Sequence, residues 1–280
     1  MSSQVFLAVM LAALLHAGWN VAIKSGRDKF ADTVSVTSGA GVLAAAALPF
    51  VALPSAESLP WLAVSIVAHL FYFGLVAAIY RRGELSIAYP LMRGLPPLLS
   101  AAVLAVAGEH LAASAWLAVA LLCAGVLVLG VQSLRRDGSG RGQLPLLLLN
   151  VCVIAAYTVV DGIGVRLSNS APGYVTWMFA GLAVAVIICA PVLGARRIVA
   201  HIALRARMAL AGGLATLGAY GIVLWAMTQA PIALVAALRE TSVLFGAALA
   251  AMLLKERFGA WRCVAVAMVA AGATLSRLTE

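Results

Sequence analysis

The sequence predicts an all-α integral membrane protein with ten transmembrane helices, arranged as two inverted five-helix repeats. Three observations lead to this prediction: the composition, the spacing of the apolar segments, and a similarity between the two halves. Of the 280 residues, 64% are hydrophobic and only 10% are charged, and the mean hydropathy is +1.06. Charged residues make up about a quarter of ordinary soluble domains. The chain is therefore expected to lie in a lipid bilayer.

Apolar segments of about 20 residues, the length needed to cross a bilayer, follow one another along the whole chain. The first of them lacks the positively charged start of a signal peptide and continues past the usual cleavage length, so we interpret it as a membrane helix. The ten predicted helices are 4–23, 32–53, 60–80, 85–107, 113–132, 145–167, 172–193, 207–228, 231–254 and 259–277.

One polar segment, LRRDGSGRGQ at 134–143, has the composition of a linker. The predicted organisation is a five-helix repeat at 1–133, a cytoplasmic linker at 134–143, and a second repeat at 144–280. Lys and Arg concentrate in the loops after predicted helices 1, 3, 5, 7 and 9, whereas the other side has Arg166 and Arg277. The positive-inside rule then predicts that these five loops are cytoplasmic and that both termini lie outside.

The remaining composition argues against several other classes of protein. The net charge of +9 comes from short clusters between apolar segments and not from one basic face, so no nucleic-acid partner is indicated. The four cysteines show neither CxxC nor Cys/His spacing, so no metal site and no cofactor are expected. The chain also lacks HExxH, GxSxG and paired carboxylates on one helix face, so it is not expected to be an enzyme.

The two halves resemble each other near their ends. The segment EHLAASAWLAVALLCAG from Glu109 matches ERFGAWRCVAVAMVAAG from Glu256 at the glutamate, at several Ala and Val positions, and at the closing Gly125 and Gly272. Upstream, SIAYPLMR resembles PIALVAALR with a slip of one residue. An odd number of helices in each repeat places the second copy upside down in the bilayer, as in many secondary transporters.

The chain resembles the drug/metabolite transporter superfamily, in particular its ten-helix EamA branch. The resemblance spans nearly the whole chain and rests on WNVAIK closing helix 1, a proline-containing helix 4, and the repeated signatures GEHL…AG and KERF…AG. It implies an exporter or importer of small metabolites, with helices 1–4 and 6–9 around a central cavity and helices 5 and 10 outside. The termini of many members are cytoplasmic, whereas the charges of this chain predict the opposite.

Five ionisable residues lie at about one depth in the predicted bilayer. At 1.5 Å per helical residue they are all about 12 to 18 Å inside their helices, near the middle of a slab roughly 30 Å thick. Such residues are costly in lipid and usually mark a transport site or pair with one another to hold the bundle. They are His16, His69, Arg93, Arg239 and Glu240.

The surroundings of the two arginines suggest an anionic ligand. Pro96 and Pro97 remove two backbone hydrogen bonds next to Arg93, so we expect helix 4 to be kinked or broken there. Arg239 and Glu240 are adjacent on a helix and should point about 100° apart, so each is expected to need a partner elsewhere. Two arginines against one glutamate leave a positive surplus, which a carboxylate or phosphonate would complement.

Aromatic and polar side chains share the same helix faces as these groups. His16 groups with Trp19 and Asn20 on helix 1, and His69 groups with Tyr72 and Phe73 on helix 3. Either histidine is alternatively a packing residue. Amino-acid exporters of the resembled family use a His and a Tyr on the third helix, which points to amino acids. The predicted substrate-binding residues are His16, Trp19, Asn20, His69, Tyr72, Arg93, Tyr157, Arg239 and Glu240.

Two acidic positions outside this set have more ordinary interpretations. Asp161, about 24 Å into helix 6, either pairs with a neighbouring helix end or lines the outer vestibule. Glu109 and Glu256, in loops before helices 5 and 10, are expected to make ion pairs or to cap helix ends. The small-residue segment GGLATLGAYG in helix 8 is expected to allow close helix packing.

The predicted function is secondary transport across the inner (plasma) membrane by alternating access. The substrate is a small amphipathic metabolite, an amino acid or a related carboxylate or phosphonate compound, with export favoured. The alternative is a flippase of the same fold for a lipid or a lipid-linked metabolite. The expected partners are the substrate and the lipid bilayer, and a homodimer is left open.

Overall fold

The computed structural model of the protein describes residues 1–24, 26, 28–82, 85–137, 144–246, 248 and 260–278. In these ranges the regular structure is entirely helical, as predicted. Short 3-10 helices at Leu48–Phe50 and Ala56–Ser58 lie between the second and third α-helices. The α-helices are α1 (Ser3–Lys24), α2 (Lys29–Ala47), α3 (Leu59–Arg82), α4 (Leu85–Val106), α5 (Ala113–Asp137), α6 (Leu144–Leu167), α7 (Ala171–Leu193), α8 (Ala195–Leu204), α9 (Ala206–Gln229), α10 (Ile232–Arg239) and α11 (Ala260–Leu278).

Seven segments of the described chain are long and apolar enough to cross a membrane, and they lie in α1, α2, α3, α6, α7, α9 and α11. Shorter apolar stretches lie in α4 (Leu91–Val106) and α5 (Ala113–Val128). Large apolar side chains are exposed on the outside of the bundle, among them Phe50, Ile187 and Ile188. Water would disfavour such a surface, whereas lipid tails would not. The protein is therefore an all-α, multi-pass membrane protein.

The helix α8 was not predicted. It spans only ten residues, too few to cross a bilayer, so a search for spans of about 20 residues passes over it. The chain enters it through Gly194, whose φ of 80° is left-handed and favours glycine. The end of α8 contacts Asp32 of α2, which is fully buried. Asp32 accepts hydrogen bonds from Nε2 of His201 at 2.8 Å and from Arg205, the residue after α8, at 2.8 and 2.9 Å.

The predicted ninth span, 231–254, is interrupted in its middle. The helix α10 ends at Arg239, and Glu240 has φ −71° and ψ −10°. Four backbone bonds then join residues three apart: Glu240 to Ala237, Thr241 to Leu238, Val243 to Glu240, and Leu244 to Thr241. This tighter winding is typical of a 3-10 turn, which inside a longer helix often marks a functional hinge. Residues 242–246 are helical again.

Of the kink or break predicted in the fourth span, the break is not found, because α4 runs as a helix through Pro96 and Pro97 from Leu85 to Val106. Neighbouring helices hold it: α4 packs against α5, α6 and α10. The contact with α5 is close, since a Cβ added at Gly94 would lie 2.7 Å from Cγ of Leu127. Packing of this kind stabilises the helix although the prolines remove two of its backbone bonds.

Part of the predicted linker is helical. The helix α5 continues to Asp137 and so includes the first residues of the segment 134–143. Residues 138–143 lie outside the described residues, as do Glu256 and most of the predicted ninth span beyond 248.

The bundle has two faces, defined by the helix ends that lie on them. The basic face carries the end of α1 and the beginning of α2, with α8 beside them, because Asp32 near the start of α2 contacts His201 and Arg205. The opposite face carries the loop after α2, where Ser55 donates a hydrogen bond to the carbonyl of Leu167 at 2.6 Å. These two faces are used below to describe the site.

Glycines bring α2 and α9 unusually close. A Cβ at Gly39 would lie 2.0 Å from the carbonyl oxygen of Ala209, and one at Gly213 would lie 2.4 Å from the backbone nitrogen of Ala40. Such distances are possible only without side chains, which is typical of close packing between membrane helices. The expectation of close packing by GGLATLGAYG therefore fits the position of Gly213.

We expect Gly39→Ala to lower the free energy of unfolding by about 1 to 3 kcal/mol, because the new methyl group would push α2 away from the backbone of α9. Gly18→Ala is the matched control: Gly18 is also helical, but nothing lies within 4 Å of the position of its Cβ. The control should be neutral or slightly stabilising, because alanine favours helix. Thermal unfolding of both variants in detergent provides the comparison, and equal melting temperatures would contradict this description of the contact.

Candidate functional site

A cavity of about 150 Å³ lies between the helices at mid-depth. An apolar cavity of similar volume holds benzene in an engineered protein, so this one has room for a molecule of roughly that size. Its lining comes from α1, α2, α3, α4, α6, α7 and α9, and from Arg239 at the end of α10. The polar and aromatic lining residues are His16, Trp19, Asn20, Lys29, Thr33, Thr37, His69, Tyr72, Phe73, Arg93, Tyr157, Phe179, Thr216, Tyr220 and Arg239.

Among the described residues, the lining of the cavity extends toward the basic face. Its lining includes Ile23, next to the last residue of α1, and Lys29, the first residue of α2. Toward the opposite face it stops early. The lining residue of α1 nearest to that face is Ala12, about 14 Å from the start of the helix at 1.5 Å per residue. On α9 it is Val223, about 9 Å from the end of that helix.

Charged groups form one wall of the cavity. Glu240 is almost fully buried and lies between two arginines, with its Oε2 3.6 Å from Arg93 and its Oε1 3.2 Å from Arg239. Arg93 also donates a hydrogen bond to Nε2 of His16. Because a guanidinium can only donate, Nε2 of His16 carries no proton in this arrangement. Among the residues that the structure describes, this wall thus brings two arginines together with one carboxylate.

The pairing of Arg239 with Glu240 corrects the expectation that these neighbours cannot satisfy each other. In a regular helix adjacent side chains diverge by about 100°. Here α10 ends at Arg239 and the backbone tightens at Glu240, and the two side chains meet through Nε at 3.4 Å and Nη2 at 3.2 Å. The helix break is thus the structural basis of the charged wall.

Aromatic side chains form another wall of the cavity. His69 stacks on Tyr157 with ring centroids 4.3 Å apart, and Tyr72 packs edge-on against the same tyrosine at 5.8 Å. Tyr220 lies edge-on to His69 at 5.8 Å and to Phe179 at 6.0 Å. We call these five residues the aromatic cluster. Its rings present their faces and edges to the cavity and suit an apolar or cationic part of a ligand.

The position of His69 is fixed by its own helix. Its Nδ1 lies 2.9 Å from the carbonyl oxygen of Ser65, one turn earlier. A carbonyl can only accept, so Nδ1 carries the proton, and the neutral ring has Nε2 as a hydrogen-bond acceptor. His69 is therefore a packed residue whose imidazole also lines the cavity.

Eight of the nine predicted substrate-binding residues line the cavity: His16, Trp19, Asn20, His69, Tyr72, Arg93, Tyr157 and Arg239. The ninth, Glu240, lies behind the arginines and is 1% exposed. Glu240 therefore serves as the counter-charge of the arginines, and it does not reach the cavity where it could contact a ligand. The amide of Asn20 donates to the carbonyl of His16 at 2.7 Å.

Sequence reasoning missed several lining residues, above all Tyr220 and Phe179. Tyr220 lies in the segment that was interpreted as close packing, and Phe179 is in a uniformly apolar helix. The depth of Tyr220, about 21 Å into α9, is the only sequence signal that could have drawn attention to it. Thr33, Thr37 and Thr216 were missed because hydroxyls inside membrane helices commonly bond to their own backbone.

Two polar atoms of the lining are available to a ligand. Nε1 of Trp19 and Oγ1 of Thr216 are buried and have no hydrogen-bond partner among the described residues. Nearly all buried polar groups in proteins have a partner, and exceptions often mark binding sites. Together with the two arginines, they provide the cavity with donors on several sides.

The opposite face is tied together by Glu109, at the loop between α4 and α5. Its carboxylate accepts hydrogen bonds from the first backbone N–H groups of α10, at Ile232 (3.0 Å) and Ala233 (3.4 Å). It also lies 3.1 Å from Arg166 at the end of α6, and Arg166 donates to the carbonyls of Met227 and Ala230. Glu109 thus caps a helix and makes an ion pair, as expected for it. We call this set of contacts the Glu109 latch.

Among the residues that the structure describes, no group of three or more His, Cys, Asp or Glu side chains is arranged to hold a metal ion. The cysteines within that part of the chain are free, and only Cys123 is buried.

No family model and no curated protein matches the chain. Solved structures do match, among them a crystal structure of a protein whose description names no activity. It is 16% identical, the TM-score is 0.73, and the alignment covers 99% of this chain and 98% of that one. At this identity the likeness concerns the fold over its whole length.

Proposed function

We propose that this protein is a secondary transporter of the drug/metabolite transporter kind, with ten membrane crossings in two inverted EamA-like repeats. It moves a small amphipathic metabolite, an amino acid or a related carboxylate or phosphonate compound, across the inner membrane by alternating access. The observation that supports the proposal is a mid-depth cavity with a cationic wall and an aromatic wall. This cavity extends toward the basic face, while the Glu109 latch connects the helices at the opposite face.

The contact between α5 and α11 supports the repeat. A Cβ at Gly125 would lie 2.6 Å from Val269 and 2.9 Å from the carbonyl of Ala265. A Cβ at Gly272 would lie 2.8 Å from Leu122 and 3.0 Å from the carbonyl of Ala118. The shift in residue number that aligns Glu109 with Glu256 also aligns Gly125 with Gly272, Leu122 with Val269, and Ala118 with Ala265. Reciprocal contacts of this kind are expected at a two-fold axis.

The same shift in residue number aligns Arg93 with Glu240, which form the 3.6 Å ion pair. Equivalent positions of two repeats meet only near the axis that relates them. Opposite charges there attract, whereas two identical charges would repel each other. The central ion pair is therefore consistent with a site built at the interface of two repeats, where transporters of inverted-repeat design bind their substrates.

The two walls support an amphipathic substrate with an anionic group. Arg93 and Arg239 offer planar donors that suit a carboxylate or a phosphonate, and Trp19 and Thr216 offer further donors. The aromatic cluster accommodates an apolar or ammonium part of the same molecule. The basic face is cytoplasmic by the positive-inside rule, so a cavity that extends toward it is positioned to load from the cytoplasm. This favours export.

The first test is a thermal-shift screen of the purified protein with amino acids, aminophosphonates and organic acids. A ligand that binds the folded state raises the melting temperature with its concentration. We expect zwitterions with a carboxylate or phosphonate to stabilise the protein, and their decarboxylated amines not to. Stabilisation by the amines alone would contradict the role of the arginines.

Thr216→Val should weaken the binding of such a ligand about 2- to 10-fold, because it removes one neutral hydrogen bond worth about 0.5 to 1.5 kcal/mol while keeping the shape of the side chain. The matched control is Thr274→Val in α11, where the hydroxyl donates to the carbonyl of Ala270 on an exposed face. Isothermal titration of both variants gives the affinities. Equal affinities would place the ligand away from Thr216.

A further inference from the structure

Asp161 of α6, like Asp32 and Glu240 a buried acid, lies outside the substrate cavity. It is fully buried, and it accepts hydrogen bonds from two tyrosines. The hydroxyl of Tyr174 in α7 donates to Oδ1 at 3.2 Å, and the hydroxyl of Tyr220 in α9 donates to Oδ2. Tyr174 lies in the first turn of its helix, so the expected pairing with a neighbouring helix end is found, but Tyr220 was not expected.

No cation balances this carboxylate within the described ranges. The titratable groups in contact with it are the two tyrosines, and Tyr220 in turn meets His69 of α3 edge-on at 5.8 Å. The cations of α4 and α10, Arg93 and Arg239, are engaged with Glu240. A buried carboxyl group without a cation beside it depends on hydrogen bonds for its stability, and Asp161 accepts one at each of its oxygens.

The hydrogen-bonding partners of Asp161 serve both of its protonation states. As a carboxylate it accepts from the two tyrosine hydroxyls, and as a carboxylic acid it donates to the oxygen of either one. Gly164 keeps this arrangement possible, because a Cβ there would lie 2.5 Å from the hydroxyl oxygen of Tyr174. The carboxyl group of Asp161 therefore has a hydrogen-bonding partner in both of its protonation states.

Tyr220, Asp161 and Tyr174 follow one another in space between the cavity and the opposite face of the bundle. Tyr220 lines the substrate cavity. Tyr174, by contrast, stands about 5 Å from the start of α7, at the opposite face, where the cavity does not reach. Asp161 joins the two hydroxyls, so a hydrogen-bonded chain leads from the cavity toward the face that the Glu109 latch ties together.

We propose that Asp161 is a proton-binding site and that the hydroxyls of Tyr174 and Tyr220 make it a relay between the cavity and the opposite face. Tyr220 passes its hydroxyl proton to Oδ2 of Asp161 as its oxygen receives another proton from the cavity side. Tyr174 completes the path by the same exchange on the other side, so one proton moves and no group is oxidised or reduced. The coupling of this proton to substrate movement rests on the proposed transport function.

Infrared difference spectroscopy of the full-length protein in lipid tests the site without any transport assay. Acidification of the medium should produce carbonyl stretching bands of protonated carboxyl groups, and one of these bands should belong to Asp161. Asp161→Asn should abolish that band. Tyr220→Phe and Tyr174→Phe should each shift its frequency but keep it, because each removes one hydrogen bond of Asp161. The Glu57→Gln variant, changed at an exposed acid, should leave it unchanged.

Several outcomes would overturn the proposal: no pH-dependent band, a band that Asp161→Asn retains, or one that neither tyrosine variant shifts. The two tyrosine variants keep the test informative if Asp161→Asn does not fold. The readout separates this inference from the proposed function. A titrating Asp161 in a protein that exchanges no metabolite would leave the proton site standing, and exchange without the band would remove the proton site alone.

Discussion

Glu240→Gln is expected to lower the free energy of unfolding by about 3 to 5 kcal/mol, the usual cost of removing one partner from a buried ion pair. The change removes the carboxylate that Arg93 and Arg239 both contact, so the two cations lose this shared counter-charge at mid-depth. The loss should be measured by reversible unfolding in mixed detergent micelles. Glu57→Gln is the control, because Glu57 is an exposed acid in the short 3-10 helix that precedes α3.

The double variant Arg93→Met with Glu240→Gln separates this interaction from a general effect of the substitution. Removing one of the two stranded cations should recover part of the lost stability, so the effects of the single changes will not add. Recovery is partial because Arg239 still lacks its partner. A Glu240→Gln variant as stable as the control would show that the carboxylate does not hold the arginines in place.

Glu109→Ala is expected to shift the protein toward a conformation that is open at the opposite face. The change removes the cap of α10, worth about 0.5 to 2 kcal/mol, and a partly exposed ion pair with Arg166, which adds less. A loss of this size changes a two-state population by roughly tenfold. The other contacts of that face, such as Ser55 with Leu167, remain.

Cysteine labelling from the two sides measures this shift in a background without the natural cysteines. Val9→Cys is a buried reporter between the cavity and the opposite face, and Thr33→Cys is a reporter in the cavity. In Glu109→Ala, labelling at position 9 should rise about tenfold and labelling at position 33 should fall. If both rates rise together, the variant has loosened the bundle, and the latch does not select between two states.

Much of the fold follows from apolar length. Spans of about 20 residues predicted most helices to within a few residues, since lipid requires each of them to satisfy its own backbone. The errors have local causes. Pro96 and Pro97 were given too much weight because the packing of Gly94 against Leu127 is not visible in the sequence. The break after Arg239 carries no proline or glycine signal in the sequence.

The site could be predicted only in part, for a related reason. Ionisable residues at one depth can be recognised in the sequence, because placing such residues in lipid is costly and they usually have a functional or pairing role. His16, Arg93 and Arg239 indeed lie together around one cavity. Tyrosines and threonines carry a smaller cost and give no such signal. The contact of Tyr220 with Asp161 depends on the packing of α9 against α6, which no local pattern specifies.

Counterflow exchange in proteoliposomes tests the central claim most directly. Liposomes that contain the protein are loaded with an unlabelled zwitterion found to stabilise it, and a trace of the labelled compound is added outside. We predict a transient accumulation of label above its equilibrium level, which Arg239→Lys reduces because lysine lacks the planar pair of donors. If no stabilising compound is exchanged, and labelled phospholipid crosses the bilayer instead, the protein is not the metabolite transporter proposed here.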